Sequence, residues 1–314
     1  MHIAFGPVPS RRLGRSLGIN NIPAKTCTYD CVYCQAGATT RHERGRQMFY
    51  DPAEIETAVE FRLDKLGPDG RPDFLTFVPD GEPTLDARLG ETIARLKRFA
   101  IPIAVVSNAS LIDRPDVRTD LMTADWVSIK VDTLDEDHWR AINQPAEGLS
   151  LSAILDGARE FSRDFRGTLA TETMVVAGIN DRVDEMAEVA AFLATLEPSL
   201  PFLLVPTRPP AEGWVGQPSA DRLRAILAAM RRGLPTLQCV DEPGGLDFGT
   251  TGNAEEDILA ASAVHPMSEA QVARLLETAG AAPDTAERMV ADGQLQVIVY
   301  RNERFYRPPT AGRR

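Results

Sequence analysis

Three of the four cysteines in this 314-residue chain fall within eight positions, Cys27, Cys31 and Cys34 in "CTYDCVYC", while Cys239 stands alone. Three thiols this close cannot all pair locally in good disulfide geometry, and so few cysteines make no disulfide framework. Their spacing, three residues and then two, is that of a metal loop. Structural zinc takes four ligands, often as paired CxxC knuckles; no second knuckle follows, so a zinc reading has to borrow His42 or Cys239. A four-iron cluster takes one thiolate per iron. Three cysteines therefore leave one iron open to another ligand, and an open iron is a reactive one.

The elements that must hold such a loop are legible as apolar strand-like runs alternating with helical patterns, the signature of a parallel sheet. Strands are expected at 16–22, 73–79, 101–107, 125–131, 168–177 and 201–206, each followed by a helical pattern. The first helix is opened by Asp51 as N-cap with Pro52 just inside. Six units predict an α/β fold, a partial (βα)6 barrel over residues 1–245. Periodicity stops in the glycine-rich acidic stretch 241–257. Beyond it, three helical patterns and a hairpin predict a small winged-helix-like module at 254–314. Its helices are predominantly acidic, and only the hairpin, with Arg301, Arg304 and Arg307, is basic.

In a parallel barrel the chemistry sits at the carboxyl ends of the strands. Here those positions carry the cysteine loop, "PDGEPT" at 79–84, "SNAS" at 107–110, "KVDT" at 130–133, "AGIND" at 177–181 and "PTRPPAE" at 206–212. All six are expected to face one mouth.

Composition sets the outer limits. A net charge of −11 disfavours a protein that coats nucleic acid by charge alone. The cations are uneven, however: Arg11, Arg12, Arg15, Lys25, Arg41, Arg44 and Arg46 face only Asp30 and Glu43 in the first fifty residues. They read either as a solvated surface or as an anion-binding rim. No apolar run is long enough to span a membrane and the start lacks the order of a signal peptide, so a cytoplasmic protein with no membrane partner is expected.

"CTYDCVYC", with Tyr33 directly before its last cysteine, resembles the CxxxCxxC loop of the radical S-adenosylmethionine (SAM) superfamily, and the resemblance spans roughly residues 15–240. It implies a [4Fe-4S] cluster on Cys27, Cys31 and Cys34, and SAM chelating the open iron. Reductive cleavage of SAM to a 5′-deoxyadenosyl radical would follow, with a ferredoxin- or flavodoxin-type electron donor. "DGEP" resembles the family's strand-two motif: Gly81 would let backbone approach the methionyl ammonium, Glu82 would support the site, and Pro83 completes the motif. Tyr33, Ser107 and Asn108 would contact SAM. Lys130 and Asp132 would meet its ribose or carboxylate, or pair with neighbours inside the barrel. Glu172 would touch SAM or substrate, or satisfy an internal ion pair. Arg208 and Glu212 fall where the family places substrate contacts, and Arg208 suits a carboxylate or phosphate. Cys239 reads as a small buried residue, and His138 and His265 receive no role.

Within the superfamily, "GPVPSRRLGRSLGINNIPAKTCTYDCVYCQAG", "GEPTL" and "RPPAE" are most similar to uncharacterised proteins grouped with the tRNA wyosine-base synthases. A lone Cys239 excludes a second three-cysteine cluster, and no flavodoxin-like domain is read. The implied function is hydrogen abstraction from an RNA base, a peptide or a small molecule, with tRNA and peptide as the macromolecular options. The alternatives are an iron-sulfur or zinc-containing nucleic-acid-binding protein, or a regulator that senses the cluster and reads DNA through the module.

Overall fold

The structure, a computed structural model, describes residues 2–67, 70–242 and 244–309. Its centre is an open eight-stranded sheet. In chain order the strands and helices are β1 (Ala4–Ser10), β2 (Gly14–Ile19), a two-residue pair β3 (Thr26–Cys27) and β4 (Arg41–His42), α1 (Pro52–Leu66), β5 (Phe74–Phe77), α2 (Leu89–Leu96), β6 (Ile103–Val106), α3 (Pro115–Leu121), β7 (Trp126–Lys130), α4 (Glu136–Asn143), α5 (Leu151–Asp164), β8 (Thr168–Met174), α6 (Val183–Ala194), β9 (Leu200–Leu204), α7 (Ala220–Met230) and β10 (Gln238–Val240). The sheet order is β1-β2-β5-β6-β7-β8-β9-β10. From β2 to β10 every pairing is parallel, so six βα units form the partial barrel that the alternation predicts.

Two strands were not legible. β1 runs antiparallel along β2 and carries two prolines and a register shift between Phe5 and Val8. Prolines suit only an edge strand, and their presence hides the strand pattern. β10 is a three-residue extension beside β9. The first expected strand also ends early, because Asn20 leaves the ladder and its amide donates to Ile3 O at 2.7 Å.

Alternation along each strand separates the faces. Leu17, Leu75, Phe77, Ile103, Val105, Val127 and Ile129 pack against the helices with no exposure. Ala104, Trp126, Ala170, Phe202 and Leu204 form a second cluster on the barrel's inner face. In the same phase the inner face carries Ser16, Thr76, Ser128, Lys130 and Glu172, which is how polar side chains reach the interior. Gly18 is required there: a Cβ would lie 2.1 Å from the Phe5 ring, which crosses it.

The C-terminal part comprises α8 (Ala254–Val264), β11 (Met267–Ser268), α9 (Glu269–Ala279), α10 (Thr285–Ala291), β12 (Gln296–Tyr300) and β13 (Glu303–Arg307). These are the three expected helices and hairpin, with β11 added to the sheet edge in the order β11-β13-β12; residues 310–314 of the expected module lie outside the described residues. A separate core of Ile258, Val272, Leu275, Leu276, Met289 and Tyr306 holds it together. The glycine-rich stretch before it is no free linker. Phe248 is buried in that core, Gly249 donates to Pro7 O at 2.8 Å, and Gln271 Nε2 donates to Gly244 O and Gly245 O at 3.2 and 3.1 Å. α8 is tied to α1 by a buried ion pair, Arg62 Nη2 to Asp257 Oδ1 at 2.7 Å, while Arg62 Nε donates to Gly6 O. On the hairpin, Arg304 is paired with Glu269 at 2.7 Å, which partly neutralises its basic charge. Among the described residues no helix is long and apolar enough to cross a membrane.

Candidate active site

The strand ends and the C-terminal part enclose a cavity of about 310 Å³, within the usual range for ligand pockets. Cys27, Cys31, Cys34 and Tyr33 line it, as do Gly81, Glu82, Ser107, Asn108, Lys130, Glu172 and Arg208. Pro83, Asp132 and Glu212 do not line it, for reasons given below.

The cysteine loop is fixed by its backbone. Lys25 N donates to Asp80 O and Glu82 N to Thr26 O, which ties the loop to the end of β5. Asp30 N and Val32 N donate to Asn143 O and Ile142 O at the end of α4, and Ala146 N donates to Thr28 O. Trp139 Nε1 donates to Tyr29 OH at 3.1 Å, and the two rings meet edge to face. Gly81 makes this closeness possible: a Cβ there would sit 1.9 Å from Thr26 O. Its close approach is thus to the backbone that leads into Cys27.

Side-chain and backbone N–H groups point at two of the sulfurs. Cys27 Sγ accepts from Tyr29 N at 3.4 Å and Asn108 Nδ2 at 3.6 Å, and Cys31 Sγ from Asn143 Nδ2 at 3.5 Å. Donors so placed stabilise a sulfur that carries negative charge, as a ligated thiolate does. Burial pushes all three thiols up, Cys31 to about 12, so each keeps its proton at neutral pH unless a metal displaces it. Among the described residues no three His, Cys, Asp or Glu side chains converge on a position for a single metal ion. His42 Nε2 lies 3.0 Å from Thr28 O instead.

Glu82, 1% exposed, binds two loops together through its carboxylate. Its Oε1 accepts from Thr84 N, Thr84 Oγ1 and Ser107 Oγ at 3.0, 2.6 and 2.8 Å, and its Oε2 from Asn108 N at 2.7 Å. Pro83 opens the short 3-10 turn behind it, where its carbonyl accepts from Asn21 Nδ2. Asp132 is likewise a bracket: it accepts from Tyr33 OH at 2.5 Å, Asn143 Nδ2 at 2.8 Å and Met174 N at 2.8 Å. Those bonds turn its carboxylate away from the cavity and fix the Tyr33 ring. Lys130 Nζ lies 4.9 Å from the centre of that ring and faces the cavity.

Glu172, 5% exposed, bonds Ser128 Oγ at 2.7 Å and pairs with Arg12. Burial alone would raise its carboxyl, but Arg12, Lys130 and Ser128 together hold it below the ordinary value. The internal ion pair, one of two readings open for Glu172, is present. Glu212 contributes its backbone N–H to Val32 O, and so braces the cysteine loop from outside.

The basic rim of the first fifty residues is largely taken up internally. Arg46 pairs with Asp116 and Asp120, Lys25 with Asp80, and Arg41 with Glu43. Arg11, Arg12 and Lys25 reach the cavity. Two contributors escaped the sequence reading. Asn143 reaches Cys31 from the last turn of α4, and His265, to which no role fell, lines the cavity from the end of α8. His138 pairs with Glu185.

Residues 21–193 match the family described as the Radical SAM superfamily. A UPF0026 protein of Methanocaldococcus jannaschii is 44% identical over 308 residues, which cover 98% of this chain and 96% of that protein. The structure of TYW1 with a lysine-pyruvate adduct bound superposes with a TM-score of 0.52 at 16% identity, over 69% of this chain and 73% of that one. Streptococcus suis SuiB bound to S-adenosylmethionine does so with a TM-score of 0.52 at 14% identity, over 70% of this chain and 49% of that one. At such identities the likeness is one of fold.

Proposed function

This chain belongs to the radical SAM superfamily and is a radical SAM enzyme; we propose that it works with a single [4Fe-4S] cluster on Cys27, Cys31 and Cys34 and takes a hydrogen atom from a substrate in the same cavity. The family implies the iron-sulfur cluster and SAM. When bound, they supply the one-electron chemistry that removes hydrogen from an unactivated carbon, while the protein supplies orientation and exclusion of water. The observation that carries the reading is the cysteine loop itself: three thiols of one short segment face one cavity at the ends of parallel strands, and N–H donors point at two of the sulfurs. A four-iron cube takes one thiolate per iron, so three thiols leave one iron for another ligand.

The chain's own residues have distinct tasks in this reading. Asn108 and Asn143 stabilise the ligated sulfurs. Glu82 holds the "DGEP" and "SNAS" loops in register, so that Gly81, Ser107 and Asn108 present backbone and side-chain polar groups to the methionyl part of SAM. Asp132 positions Tyr33, and Lys130, whose Nζ lies 4.0 Å from Asp132 Oδ1, presents its ammonium to the ribose or carboxylate. A ferredoxin- or flavodoxin-type protein supplies the electron.

Anaerobic reconstitution tests the reading. About four irons per chain and dithionite-dependent formation of 5′-deoxyadenosine are expected; stoichiometric zinc without SAM cleavage would overturn it. The substrate class, whether RNA base, peptide or small molecule, is read from turnover in ordinary water against fractionated extract of cells grown in deuterated medium, whose carbon-bound hydrogens are deuterium. Deuterium appears in 5′-deoxyadenosine with the pool that holds the substrate.

A further inference from the structure

A second group of polar residues lines the cavity. Arg208, 3% exposed at the end of β9, donates from Nε to Pro266 O at 3.2 Å, and its Nη2 is buried without a partner. His265 Nε2 is also buried without a partner. Arg11 and Arg12, from the turn between β1 and β2, line the same space. Of the carboxylates lining the cavity, Asp80 is paired with Lys25, Glu82 is held by Ser107 and Asn108, and Glu172 is held by Arg12 and Ser128. Asp241, Glu242 and Glu303 act on Arg11 and Arg208 from outside the lining.

The wall is built, not incidental. A Cβ on Gly244 would lie 3.1 Å from Pro9 O and 3.5 Å from Arg208 Nη2, and Gln271 clamps the Gly244 and Gly245 carbonyls in that position. Four distant segments thus meet around one guanidinium. A buried N–H without an acceptor is destabilising, more so when charged, and an anionic ligand removes that penalty. Burial foremost, with Arg11 beside it, lowers Arg208 to about 9, in line with a cation short of negative partners.

We propose that Arg208, Arg11 and His265, with Arg12 beside them, form a subsite for an oxyanion, a carboxylate or phosphate carried by the substrate. Assigning that anion to the substrate rests on the radical SAM reading; the binding of the anion does not. The planar guanidinium fork suits two oxygens of either group. Neutral His265 offers a further donor or acceptor according to its tautomer. The C-terminal part is then a wall of the substrate site, since it supplies His265 and the carbonyl that anchors Arg208.

Calorimetric titration of the reconstituted full chain, held in saturating SAM, with inorganic phosphate and separately with malonate tests the subsite. Saturable binding of phosphate indicates a phosphorylated substrate, and of malonate alone a carboxylate one. Arg208→Met is expected to weaken binding roughly tenfold or more and Arg11→Gln severalfold, as loss of a charge-assisted contact requires. Arg224→Gln, on exposed α7, should change nothing. Arg11 is exposed, so its variant keeps the test valid if Arg208→Met fails to fold. No saturable binding of either anion, affinities unchanged in both variants, or displacement of SAM by the anion would overturn the proposal. Failure of SAM cleavage with Arg208-dependent anion binding intact would instead remove the radical reading and leave the subsite standing.

Discussion

Around the cysteines the protein answers its own buried charges: Glu82 accepts four hydrogen bonds and Asp132 three. Around Arg208 it does not, and a guanidinium nitrogen and an imidazole nitrogen remain buried without partners. The contrast separates two kinds of readiness within one cavity. Where the same cofactor must be gripped in one geometry each cycle, a satisfied network fixes the frame in advance. Where a substrate must enter and leave, the polarity is left for the substrate to complete.

The strongest way to break the contrast is to remove a thiol. Cys27→Ala, Cys31→Ala or Cys34→Ala should each abolish SAM cleavage and strip most iron from the reconstituted protein. Cys239→Ala, outside the cavity lining, should keep both. Iron analysis beside product chromatography checks this.

Next in size is the attachment of the C-terminal part. Arg62→Met leaves Asp257 buried without its cation, which costs roughly 3–5 kcal/mol. A lowered urea midpoint is expected, together with weaker phosphate or malonate binding and unchanged iron content. Loss of iron in step with anion binding would mean that the two sides of the cavity are not separable.

Glu82→Gln places an amide NH2 against either the Asn108 N–H or the Ser107 hydroxyl, each of which donates to one carboxylate oxygen, and should destabilise by about 1–3 kcal/mol. SAM cleavage should fall about a hundredfold, as a displacement near 1 Å can cause. Single-turnover rates and denaturant curves separate the two effects.

The smallest effect concerns pH. Glu172 is held below its ordinary value of 4.5, so its contribution to stability is fully present above that pH. It is lost as pH falls through the lowered folded-state value, where the unfolded chain has already bound the proton. Glu172→Gln should flatten the acid limb of a stability profile below about pH 4.5 and, by freeing Arg12, strengthen anion binding modestly.

The two sides also differ in how far the sequence reveals them. The cysteine side was legible because three ligands lie within eight residues and each strand end carries its polar motif directly after an apolar run. Its supports were less so: Asn143 lies on a helix whose pattern speaks only of packing, and Asp132 could not be told from a ligand until its three donors were seen. The arginine side was scarcely legible. His265 has no partner at any regular spacing, β1 is disguised by its prolines, and Arg11, Arg208 and Gly244 meet only through the fold. Local chemistry is written in local sequence, whereas a subsite assembled from four segments is written in the topology.

The central claim, a cluster held by three cysteines with one iron left for SAM, is tested most directly by electron paramagnetic resonance of the reduced, reconstituted protein before and after SAM is added. The expected result is the signal of a single reduced four-iron cluster whose g values shift on addition of SAM. A spectrum that SAM leaves unchanged would contradict the claim.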